Sequence, residues 1–167
     1  MTKEQLQKFW HDFQIPTQDG DTQFPYANPS DAARSLIKAR NWVGMITEEL
    51  LSISEASNTH SRELKAIKEA LELLERVVLA RCLKDNKVTA TVTKNKEIQK
   101  AFILGNMSEE DAKQFSELEK RRIVLQQTLD KLEKQTSYLQ TMLRTIDTST
   151  EWIVQYVNWM KYESRAI

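Results

Sequence analysis

"LQQTLDKLEKQTSYLQTMLRTI", residues 125–146, decides the fold. Read in steps of seven it gives Leu125, Leu132, Leu139 and Ile146, and the series runs back to Leu118 and on to Ile153 and Met160 without a gap. An α-helix turns once in about 3.6 residues, so a seven-residue apolar repeat lays one seam along one side of a long helix. The companion positions are Phe115, Arg122, Leu129, Thr136, Leu143, Thr150 and Val157. Their polar members weaken a seam but can fix its register and oligomer state. Ser108, followed by Glu109, Glu110 and Asp111, supplies a capping side chain and acids at the positive end of the dipole. Thr148 and Glu151 are spaced as a second capping box, which predicts either a bend there or no break at all. Unbroken, the helix would approach about 80 Å at 1.5 Å per residue. A seam that long needs a partner, from upstream helices or from other copies of the chain.

Upstream the same logic gives more helix. Three glycines and three prolines in 167 residues are too few for the turns a sheet requires. Residues 3–13 carry Leu6, Phe9, Trp10 and Phe13 at helical spacing. Pro16, Gly20 and Pro25 mark residues 14–28 as a linker, and the first 31 residues hold two lysines against five acids. Residues 1–28 therefore read as a short amphipathic helix with an acidic linker arm, packed on its own body or on a partner. Residues 29–167 read as one helical oligomerisation domain, which also carries the basic run considered for DNA binding below. Asn28, Pro29, Ser30 and Asp31 start a helix through Leu36, Ile37, Val43, Ile46, Leu50 and Leu51. The small polar stretch 52–61 (SISEASNTHS) predicts an interruption. A further helix over about 59–85 follows, with Leu64, Ile67, Leu71, Leu74, Val78 and Cys82 on one stripe. Val88, Ala90 and Val92 alternate with threonines, a strand pattern with no second strand to pair with. It predicts an extended connection, or a strand completed only in an oligomer. Thr93 caps a short helix over 94–104 that Gly105 closes. The fold class is all-α: a helical bundle with a long, coiled-coil-like C-terminal helix.

The motif inventory argues against an enzyme. There is no glycine-rich phosphate loop, no paired Cys or His metal spacing and no serine elbow. His11 and His60 have no acid or thiol clustered at ligand spacing. Catalytic residues, metal and cofactor are all expected to be absent. Cys82 alone cannot form an internal disulfide and reads as a small buried hydrophobe. No run of 18 apolar residues and no signal peptide are present, so a soluble cytoplasmic protein with no membrane partner is expected, in a host cytoplasm if it is viral.

Charge is more informative. With 24 basic and 24 acidic residues the chain is neutral overall. Residues 76–104 nevertheless hold Arg76, Arg81, Lys84, Lys87, Lys94, Lys96 and Lys100 against only Asp85 and Glu97, an excess of five positive charges. Cations neutralise a phosphate backbone, and Thr89, Thr91 and Thr93 can donate to it. The alternative is a solvated face that balances the acidic end. The C-terminal aromatics pose a parallel choice. Trp152, Tyr156 and Trp159 follow i, i+4, i+7 beside Ile153, Val157 and Met160. Two adjacent apolar stripes favour packing between helices or subunits over a base-stacking platform. The expected oligomer contact is Leu132, Leu139, Leu143, Ile146, Trp152, Ile153, Tyr156, Val157, Trp159 and Met160.

The stretch "YLQTMLRTIDTSTEWIVQYVNWMKY", residues 138–162, resembles the UvsY-like recombination mediators of T-even phages. Ile146, Ile153, Val157, Trp159, Lys161 and Tyr162 stand at that family's spacing. "ERVVLARCLK" and the later "TKNKEIQKAF" sit where such chains carry a basic helical run and a connecting helix. The resemblance covers 30 to 40 residues; elsewhere the likeness is one of helical order. It implies an all-helical homo-oligomer that binds single-stranded DNA, helps displace the single-strand-binding protein and loads a RecA-type recombinase. It carries the DNA-binding role to the basic run around Arg76, Arg81 and Lys84; the lysines beyond them are added by charge. The acidic N-terminal extension departs from the family. A coiled-coil structural or adaptor protein of phage assembly, without DNA binding, is the competing reading.

Overall fold

In a computed structural model, which describes residues 2–12, 29–85 and 96–163, four helices are present among the described residues. They are α1 (Lys3–Asp12), α2 (Pro29–Lys84), α3 (Lys96–Gly105) and α4 (Glu109–Glu163). The described chain is all-α, with the long α4 packed on the long α2. It divides into two compact units, Met1–Glu55 with Glu133–Ile167, and Ala56–Leu132.

The start of α4 follows from its cap. The Asp111 amide donates to the Ser108 hydroxyl (3.2 Å), and the Ser108 amide donates to the Asp111 carboxylate (3.3 Å). Two amides that a helix start leaves without partners are thus satisfied reciprocally, with Asp in place of the usual Glu. No break occurs at Thr148. Its hydroxyl donates to the Arg144 carbonyl one turn back (3.0 Å), so it serves no new helix start. Thr128, Ser137, Thr141 and Thr145 bond back in the same way. Hydroxyls that could compete with a helix are absorbed by it.

In the Ala56–Leu132 unit the seam closes on the chain itself. Leu64, Ile67 and Leu71 of α2 form one cluster with Leu125 of α4, and Phe115, Leu118 and Leu129 pack against it. Val78 and Cys82 form a second cluster with Ile103 of α3, flanked by Leu79, Phe102 and Met107. In the other unit Leu139, Ile146 and Ile153 are buried, and so are Met142 and Tyr156. The buried face of α4 is broader there, and that unit also holds α1. Thr2 and Gln5 cap α1 reciprocally (2.7 and 3.2 Å). Phe9 of α1 is fully buried and meets the Trp42 ring of α2 edge-on, centroids 5.3 Å apart. The N-terminal helix therefore packs on its own body.

Two sequence expectations are corrected. The stretch 52–61 does not interrupt α2, which is one helix of 56 residues. Serine, asparagine and threonine each cost only a few tenths of a kcal/mol in a helix, and no glycine or proline stops it. Moreover a seven-residue repeat runs straight through: Ala39, Ile46, Ile53, His60, Ile67 and Leu74, all buried except the half-buried His60. Packing along that repeat outweighs local propensity. Gly105, expected to close α3 from outside, is its last residue, and its φ lies outside the left-handed region. The Asn106 side-chain amide donates to the Phe102 carbonyl (2.8 Å) and its backbone N–H to that of Ile103 (3.1 Å), so asparagine ends the helix. The linker 14–28, the alternating segment 88–92 and the Thr93 cap lie outside the described residues.

Candidate nucleic-acid interface

The basic residues reach one unit by two routes. Arg76, Arg81 and Lys84 lie on the last turns of α2, and Lys96 and Lys100 lie one turn apart on α3. The Val78–Cys82–Ile103 cluster holds those two helices together. Lys87 and Lys94 lie outside the described residues.

These cations differ in what they already touch. The Arg81 guanidinium donates to the Asp111 carboxylate at 2.8 Å and so ties the end of α2 to the start of α4. Asp111 is only 14% exposed. Its carboxyl is held below the ordinary value, first by the Ser108 hydroxyl and then by Arg81, against partial desolvation that pushes it up. Arg81 is thus engaged in holding the fold. Arg76 pairs loosely with Glu72 across one turn (3.7 Å), both side chains being largely in solvent. Such pairs contribute about 0.3–0.5 kcal/mol and exchange readily with another anion.

Lys84, Lys96 and Lys100 are exposed and form no ion pair with the described residues. Lys84 in the last turn of α2 suits the negative end of that helix. Lys96 has no such reason: it opens α3, where the helix is already positive, with Glu97 beside it. A cation placed against the dipole raises the local positive potential, which is the arrangement a phosphate oxygen is drawn to.

At the far end of α4 the aromatic residues separate. Tyr156 is buried with Leu139, Ile146 and Ile153, while Leu132, Leu143 and Val157 are half-buried. Trp152, one turn before Tyr156, is 58% exposed, and Tyr162 is exposed as well. Of the expected oligomer contact, Trp152 is the described member with most surface left for another molecule. The side chains of Trp159 and Met160 lie outside the described residues. Spacing placed Trp152 and Tyr156 on one stripe; the edge of the buried face falls between them.

Residue types alone place His60 in a polar interruption. It occupies the apolar repeat of α2, its Nδ1 is buried without a hydrogen bond among the described residues, and Glu63 lies 3.8 Å away. Its seven-residue spacing from Ile53 and Ile67 was the available signal. Among the described residues no three His, Cys, Asp or Glu side chains gather as metal ligands, and no helix is long and apolar enough to cross a membrane. Compared with protein-family models, with curated proteins and with solved structures, the chain matches none of them.

Proposed function

We propose that this chain is a non-enzymatic protein that binds single-stranded DNA by its phosphate backbone. The observation that carries this reading is the exposure of Lys84, Lys96 and Lys100 on one unit, with no acidic partner among the described residues. Arg76, held only by an exchangeable pair, can join them. Each cation that meets a phosphate releases a condensed counterion, so binding is sequence-tolerant and falls with salt. One chain offers a modest patch, and an assembly of copies multiplies it. On the resemblance of residues 138–162 to the UvsY-like mediators, the bound strand is presented to a RecA-type recombinase as the single-strand-binding protein leaves. A coiled-coil structural or adaptor role is the second reading, favoured by the use of Arg81 in fixing Asp111 rather than a ligand.

The test replaces Lys84, Lys96 and Lys100 together by glutamine. All three are exposed, so helicity and melting should stay unchanged. Each lost phosphate contact takes about 0.7 off the slope of log affinity against log salt, hence about 2 for the three. Affinity and slope equal to the parent's would remove this site and leave the structural reading.

A further inference from the structure

The second half of α2 is apolar on two faces. Leu64, Ile67, Leu71, Leu74, Val78 and Cys82 make the face covered by α3 and α4. About a third of a turn away, at 100° per residue, runs a second stripe: Ala66, Ala70, Leu73, Val77 and Ala80. Its spacing of four, three, four and three residues is that of a coiled-coil seam. Leu73 is 63% and Val77 46% exposed, and neither joins the clusters on the covered face. Lys65, Lys68, Glu69, Glu72 and Arg76 fill the remaining side. A helix with two separate apolar stripes buries both.

We propose that a second copy of this chain covers the stripe, the two α2 helices running antiparallel about a two-fold axis level with Leu71 and Glu72. Four of its five members complement one another in that register, and Ala80 lies at the end of the contact opposite Glu63. Ala66 of each copy stands opposite Val77 of the other, and Ala70 opposite Leu73, so each of these central layers sets a large side chain against a small one. Interdigitation of that kind lets helices approach closely without voids or overpacking. The charges agree. Glu69 and Arg76 border the stripe on its solvent side, and the two-fold brings Glu69 of each copy beside Arg76 of the other. At present they make only weak pairs within the helix, Glu69 with Lys65 at 3.9 Å and Arg76 with Glu72 at 3.7 Å. An isologous contact repeats each pairing twice, so a single substitution is felt in two places. A parallel pairing would instead bring Arg76 toward Arg81 of the partner and set like charges together. The contact takes Arg76 from the proposed DNA site, leaves that site's three lysines untouched, and needs no DNA.

The experiment is sedimentation equilibrium of the full chain, freed of nucleic acid, over a range of concentrations. The parent should pass from monomer to dimer. Leu73→Glu should raise the dissociation constant at least tenfold with helicity unchanged. Glu69→Arg and Arg76→Glu should each weaken association by about threefold or more, the order expected for two exposed ion pairs. The two together should restore it, since the pair is then exchanged across the axis. A chain monomeric throughout would overturn the proposal, as would a Leu73→Glu variant that self-associates like the parent. A double exchange no better than either single one would overturn the antiparallel register.

Discussion

Leu71 and Leu73 lie two residues apart on α2, one buried at 6% exposure and the other 63% exposed. Truncating each to alanine therefore isolates packing from everything else. Helix propensity is the same at both sites and nearly neutral for this change. Leu71 lies in the cluster with Leu64, Ile67 and Leu125, against which Phe115, Leu118 and Leu129 pack, so Leu71→Ala leaves a cavity at the α2–α4 contact. Such truncations cost about 2–5 kcal/mol. Leu73 meets mostly solvent within one chain, so Leu73→Ala should cost no more than about 0.5 kcal/mol. For a chain of this size each kcal/mol moves the midpoint by about 2–4 °C, so Leu71→Ala should melt about 4–20 °C below the parent and Leu73→Ala within about 2 °C. The assay is guanidinium and thermal unfolding followed by helical circular dichroism, at a concentration below any self-association. Equal losses at the two sites, or a larger loss at Leu73, would refute the assignment of the covered face.

Three further expectations concern the helices and their caps. Asn58→Pro should destabilise the chain by about 3 kcal/mol or more, because α2 is continuous there; a proline tolerated in an unfolding titration would mean that residues 52–61 are not helical. Asp111 is held below its ordinary value, so its contribution is complete above the unfolded carboxyl value and fades as pH falls from there through the folded one. Asp111→Asn should accordingly lose stability at neutral pH and show a flatter acid limb below about pH 4, read from unfolding midpoints across pH. Phe9→Ala removes a fully buried ring from against Trp42, at a cost of about 3–5 kcal/mol unless α1 simply detaches. In either case tryptophan emission should shift to the red, and an unchanged spectrum would contradict the packing of α1 on α2.

The long helix was legible because its signal is periodic and its competitors local. Leu118 through Ile153 keep one spacing, and each of those positions is buried or half-buried. The continuity of α2 was missed for the converse reason. A run of small polar residues has a strong local appearance, while the repeat that holds it helical is spread over Ala39 to Leu74 with a histidine inside it. Reading types alone, His60 looks like loop; reading spacing, it belongs to the seam. The separation of Trp152 from Tyr156 was not legible, because the edge of a buried face depends on where neighbouring helices lie. The basic cluster was legible as charge, yet only the fold distinguishes Arg81, fixed to Asp111, from Lys84, Lys96 and Lys100. The second stripe of α2 was in the sequence from the start, hidden beside the stronger stripe of Leu64 to Cys82.

The measurement that bears most directly on function is fluorescence anisotropy of a labelled single-stranded oligonucleotide, titrated with nucleic-acid-free protein across a salt series. Backbone binding through Lys84, Lys96 and Lys100 predicts affinity that falls with salt, with a log–log slope of about −2 or steeper. An oligonucleotide that stays unbound at the lowest salt would contradict DNA binding and leave the helical seams as this chain's function.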